Sequence, residues 1–124
     1  MITGVQDIYY NVSDMKKSIL FYTEALQMKL MYSADGWTSL RCGDVQIGLH
    51  PLEEGEKIYL LPRDSHGVCA QATLTLKSTD VSEDKKRIEL HKGKILGEDD
   101  APWGHMLVFE DPDGNVLKLM KPKY

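Results

Sequence analysis

The chain has 124 residues, 42% of them hydrophobic and 27% charged, with a formal net charge of −4. That length fits one domain or two small fused modules with a real core, and an acidic chain without a basic stripe argues against nucleic acid as main partner. No apolar run approaches the roughly 18 residues that span a bilayer, and no secretory leader pattern is present, so no membrane role and a cytoplasmic location are expected.

The first strand is predicted over residues 4–12, with Ile8, Tyr10 and Val12 on one face and Asp7, Tyr9 and Asn11 on the other. Ser13 or Asp14 then caps a helix with an apolar stripe of Met15, Ile19, Tyr22 and Leu26. Three short strands follow, near 29–33, 37–42 and 45–50. The segment 53–67 holds Pro, Gly and the cluster Glu53, Glu54 and Glu56, and reads as a linker. The same order then recurs: a strand over 70–76, a helix capped by Thr79 or Asp80 and running to about His91, and strands near 94–96, 105–110 and 116–121. The expected architecture is α+β, one domain of two βαβββ modules (about 1–52 and 68–124) whose curved mixed sheets close around a cavity. Cys42 and Cys69 have no CxxC spacing and are expected as free thiols.

Gly43-Asp44 suits a two-residue turn with glycine first, which sets Cys42 opposite Val45 and Leu40 opposite Ile47. Leu40, Cys42, Val45, Ile47 and Leu49 then share a face under the helices. Trp37, Ser39, Arg41, Gln46, Gly48 and His50 share the other, which either lines a ligand cavity or faces water. In the last hairpin a turn at 112–115 would pair Phe109 with Lys118 and Leu107 with Met120. His105, Leu107, Phe109, Val116, Lys118 and Met120 would face inward, and Met106, Val108, Leu117 and Leu119 would pack against helix.

Three features together resemble the vicinal oxygen chelate superfamily, which includes glyoxalase I, extradiol dioxygenases, fosfomycin-resistance enzymes and bleomycin-resistance proteins. They are the paired βαβββ order, the segment NVSDMKKSILFYTEALQMKL with Val12, Asp14, Ser18, Phe21 and Tyr22, and the ending PWGHMLVFEDPDGNVLKL. The resemblance implies two modules per site, often completed across a homodimer, and metal ligands on the first and last strand of each module. Carried over, those positions are Asp7, Gly48, Gln71 (Thr73 if the register slips) and Lys118. Asp7 and Gln71 suit a divalent ion, whereas Gly48 offers no donor and Lys118 repels a cation, so no metal or other cofactor is expected unless His50 substitutes. An Asp7–Lys118 ion pair is the competing arrangement, since a buried cation needs a partner.

What remains suits a binding pocket. Trp37, Trp103 and Tyr59 are candidate stacking platforms or merely half-buried aromatics. Arg41, His50, Gln71, His105, Phe109 and Lys118 complete the candidate ligand contacts. His66 and His91 suit a solvated loop and a helix end, and Tyr9, Tyr10 and Tyr22 suit packing. The PWG string resembles drug-sequestering bleomycin-resistance proteins. Glu98, Asp99 and Asp100 would attract a cationic planar ligand, while Arg41 and Lys118 would favour an anionic one. Two functions follow: a metal-independent binding protein of the antibiotic-sequestering type, or an enzyme. The enzyme would be a glyoxalase-like lyase or dioxygenase relative with an atypical metal set, or a metal-free one using His50 or His105 as acid–base.

Overall fold

Each half of the chain builds a four-stranded mixed sheet with one helical segment, in a computed structural model that describes residues 1–58, 60, 62–65, 67 and 72–124. The chain divides into two compact units, 1–58 and 59–124. The first contains β1 (Ile8–Val12), α1 (Met15–Leu20), which continues as a π-helical turn over Phe21–Ala25, β2 (Lys29–Ala34), β3 (Trp37–Cys42) and β4 (Val45–Pro51). The second contains β5 (Leu74–Lys77), α2 (Val81–Leu90), β6 (Lys94–Ala101), β7 (Gly104–Glu110) and β8 (Val116–Pro122). Sheet orders are β1-β4-β3-β2 and β5-β8-β7-β6, with the first and last strands of each unit parallel and the remaining pairs antiparallel. This is an α+β fold of two βαβββ modules.

Equivalent local chemistry starts and stops both helices. The Asp14 carboxylate accepts from the Lys17 N–H and the Asp80 carboxylate from the Glu83 N–H, each at 3.1 Å. Past each helix one non-glycine residue turns left-handed, Gln27 at φ 57° and Lys92 at φ 68°. The fully buried residues of the first helical segment are Ser18, Phe21, Tyr22 and Ala25; of the predicted stripe Tyr22 is among them, while Met15, Ile19 and Leu26 are half-buried. Ser18 is 1% exposed; a reading of apolar periodicity passes over a buried serine, and the wider π turn shifts the residues after it.

Most core residues come from the helix-covered face of each sheet. Val12, Leu40, Ile47 and Leu49 are buried in the first unit, and Leu76, Leu107, Phe109, Leu117 and Leu119 in the second, with Val81 and Ile88 supplied by α2. The first hairpin pairs Leu40 with Ile47 and Cys42 with Val45 as predicted, across a turn in which Gly43 takes φ 58°. Its apolar face is buried only in part: Val45 is exposed, and Cys42 is half-buried, which pushes its thiol pKa up by desolvation.

The last hairpin departs from the predicted register. Phe109 faces Leu117, Leu107 faces Leu119, and Val108 faces Lys118. The cause is the loop, which spans Asp111–Asn115 between the paired residues Glu110 and Val116. The Asp111 N–H donates to the Asn115 carbonyl at 2.9 Å, and Asp111 Oδ1 accepts from the N–H groups of Asp113 and Asn115, each at 2.9 Å. Asn115 Nδ2 donates to the other carboxylate oxygen at 2.9 Å, and Gly114 takes φ 87°. That five-residue closure shifts the pairing by one, which exchanges the faces of β7. Phe109, expected at the ligand, lies on the helix side and is fully buried; Met106 and Val108 take the open face with Lys118.

Candidate functional site

The two open faces occupy equivalent positions in their units. β1 pairs Tyr9 with Gly48, and β5 pairs Thr75 with Lys118. Gly48 and Lys118 are therefore counterparts on the last strands, and Asp7 corresponds to Thr73, two residues before each pairing residue. Thr73, not Gln71, is thus the register equivalent of Asp7.

In the first unit an indole covers this position. A Cβ added at Gly48 would collide with Trp37 Cη2 and Cζ2 and come within 2.9 Å of Tyr9 Cβ. The Trp37 Nε1–H donates to Ser39 Oγ at 3.4 Å. Tyr9 meets the Trp37 ring edge-on with centroids 5.6 Å apart, and His50 tilts against Tyr9 at 6.1 Å. Tyr9, read from sequence as packing, is 54% exposed and belongs to an aromatic trio. Arg41 lies on the same face farther along β3, exposed, opposite Gln46 and Lys29 in register.

In the second unit the same position opens into a cavity of about 480 Å³. Gly97, Val108 and Lys118 form one cross-strand row of its floor, which Thr75 continues beyond the cavity, and Asp99 and Met106 stand in the next. A register shift between Ile95 and Gly97 gives β6 one extra residue and puts Gly97 and Asp99 on the open face. A Cβ at Gly97 would meet nothing within 4 Å. Trp103 sits in the two-residue turn between β6 and β7, 56% exposed, and its carbonyl accepts from the Lys123 N–H at 3.0 Å. Asp64 lines the cavity from the segment before β5. Its neighbour Arg63 holds that segment, with Nη2 2.7 Å from Glu110 Oε1 and donating to the Gly114 carbonyl at 3.3 Å.

Glu98 also lines the cavity, but its carboxylate and that of Asp100 are engaged by neighbouring cations. Glu98 is turned to Lys85 at 3.6 Å and His105 at 3.5 Å. His105 shares the face of Leu107 and Phe109, not that of Lys118, so its expected place in the pocket does not hold. Asp100 pairs with Lys123 at 2.5 Å; the hydrogen bond from that ammonium, and then its charge, lower the Asp100 pKa. Of the three acids read together from sequence, Asp99 alone turns its strand position to the open face. Tyr59, Gln71, His66 and Cys69 lie outside the described residues. Asp7 belongs to the first unit and Lys118 to the second, so a pairing between them depends on how the units assemble.

Residues 4–119 match the Glyoxalase/Bleomycin resistance protein/Dioxygenase superfamily. The chain belongs to that superfamily. It is 27% identical over 119 residues to the glutathione transferase FosA of Serratia marcescens, an alignment covering 96% of this chain and 81% of that protein. Among solved structures, TnmS3, an antibiotic binding protein from Streptomyces sp. CB03234, matches with TM-score 0.68 and 26% identity over 98% of each chain. A mutant of the fosfomycin resistance protein FosX from Listeria monocytogenes, complexed with Mn(II) and a dihydroxypropylphosphonic acid, matches with TM-score 0.72 and 19% identity over 99% of this chain and 93% of that one. At that identity the likeness shows a shared fold.

The superfamily resemblance raises the question of a metal, and the donors at the four positions answer poorly to one. Gly48 has no side chain and its space is filled by Trp37, Lys118 is a cation, and Asp7 is the single carboxylate. Among the described residues no group of three or more His, Cys, Asp or Glu side chains is gathered to hold an ion. A zinc site takes at least three protein ligands and harder ions take more oxygens.

Proposed function

We propose that this protein binds a small, partly aromatic molecule without a metal ion, in the manner of antibiotic sequestration. The observation that carries the reading is the paired replacement at equivalent last-strand positions: Gly48 under the Trp37 ring, and Lys118 on the floor of the second unit's cavity. Both positions would need an oxygen or nitrogen donor to hold a metal. Instead one supports an aromatic surface and the other presents a fixed positive charge. The cavity adds Trp103 at its rim and Met106 and Val108 on its floor, an apolar lining with a few polar groups that suits ligand binding. The 26% identity to an antibiotic binding protein over nearly the whole chain supports the same class. Homodimerisation belongs to this proposal, since edge strand β2 carries exposed Leu30, Met31 and Tyr32.

A second reading, an enzyme acting on a small molecule, is favoured by the similarity to FosA over 96% of this chain. Elemental analysis of purified protein, run beside a thermal-shift panel of cationic aromatic antibiotics and small anionic metabolites, separates the two. Stabilisation by an aromatic ligand in metal-stripped protein, with no turnover of that ligand, is the expected result. Turnover that requires an added divalent ion would establish the enzyme instead.

A further inference from the structure

The lining of the second unit's cavity carries both signs of charge beside an aromatic ring, and their arrangement narrows the ligand class. Lys118 and Asp99 stand on adjacent cross-strand rows of the floor, separated by Val108 and Met106. Among the described residues neither the Lys118 nor the Asp99 side chain has a hydrogen bond or ion pair within the protein, in contrast to Glu98 and Asp100, which are paired with Lys85, His105 and Lys123. Asp64 adds a second carboxylate from the segment held by Arg63. A half-buried ammonium and a nearby carboxylate that do not meet each other leave two complementary charges to a ligand that spans them. The apolar strip between them and the Trp103 ring accept a flat hydrocarbon body.

We infer that this cavity selects an amphoteric aromatic ligand, with an acidic oxygen group at Lys118, a cationic group at Asp99 and Asp64, and a planar ring against Trp103. The inference rests on the small-molecule-binding reading and adds the ligand's charge pattern to it. A cavity of about 480 Å³ lies within the range of roughly 300–1,000 Å³ typical of such sites. A purely cationic ligand would leave the Lys118 ammonium desolvated and unpaired. A purely anionic one would bring like charge against Asp99 and Asp64.

Four probes that share one ring and differ in charge test this: free tryptophan, tryptamine, indoleacetate and indole, titrated calorimetrically into the metal-stripped full chain. Tryptophan is expected to bind about tenfold more tightly than tryptamine or indoleacetate, the effect of one added charge-assisted contact. Lys118→Met should weaken tryptophan and indoleacetate about tenfold and tighten tryptamine, which no longer meets an unpaired ammonium. Asp99→Asn should weaken tryptophan and tryptamine and tighten indoleacetate, which then faces one like charge fewer. Lys118→Arg keeps the positive charge and is expected to retain the tryptophan preference, which guards against a folding defect in the methionine variant. Equal affinities across the four probes, equal losses in both charge variants, or no binding of any probe would overturn the inference. Failure of the underlying reading looks different: the charge preference would persist but appear only after a divalent metal is added.

Discussion

The two open sheet faces share a topology and a register but not a chemistry. In the first unit the position opposite Tyr9 is a glycine roofed by Trp37; in the second, the position opposite Thr75 is a lysine in an open cavity. Their helix-side faces have stayed alike, with Leu40, Ile47 and Leu49 buried in one and Leu107, Phe109, Leu117 and Leu119 in the other. Packing density constrains the covered face, because a lost or added methylene there is felt at once. The open face is less constrained by packing, and there the two units differ.

The largest expected effect comes from the loop that assigns the second face. Replacing Asp111, 3% exposed and accepting from Asp113 and Asn115, with Ala should cost about 3 kcal/mol in urea unfolding, because three partly buried donors lose their acceptor. A cost below about 1 kcal/mol would show that strand pairing, not the loop, holds Lys118 on the open face. On the first face, Gly48→Ala should cost about 2 kcal/mol by driving a methyl into Trp37. The double variant Gly48→Ala/Trp37→Leu should recover most of that loss, and additive losses would mean the ring is not the obstacle. Arg63→Met should cost about 1 kcal/mol, since its bridge to Glu110 is partly exposed, and should speed amide exchange at Asp64 while leaving the first unit unchanged.

Smaller effects probe what the units share. Gln27→Gly and Lys92→Gly should each stabilise by up to about 1 kcal/mol, because both residues hold positive φ; destabilisation would show that their side chains contribute packing. The Asp100–Lys123 pair should matter least. The Asp100 carboxyl has a lowered pKa in the folded protein, so its contribution is present above the ordinary carboxylate pKa and disappears as pH falls through the lower folded value. The gap in melting temperature between the parent and Asp100→Asn should be small at neutral pH and close under acid conditions. A gap that widens in acid would contradict that direction.

What the sequence made legible follows the same division. The first hairpin was readable because a two-residue turn with glycine first permits one register, Leu40 opposite Ile47. The last was not, because an Asp-Pro-Asp-Gly-Asn string leaves the loop length open by one residue, and that residue moves Phe109 from ligand to core. Lys118 stood out as a cation where the resembled family places an acid. The Gly48–Trp37 contact did not, since it depends on a side chain crossing from β3 to β4 that no spacing rule specifies. Asp99 could not be separated from Glu98 and Asp100, and Met106 was expected against helix, because the bulge before Gly97 resets the alternation of β6 and the register of β7 moves with the loop.

Metal content and ligand binding measured on the same protein test the central claim most directly. After exhaustive dialysis against a chelator, the protein should carry only substoichiometric divalent metal and keep in full whatever thermal stabilisation an aromatic probe such as tryptophan gives it before chelation. One bound manganese, nickel, zinc or iron per chain that is lost in Asp7→Ala or His50→Ala, together with loss of ligand binding on chelation, would contradict the account.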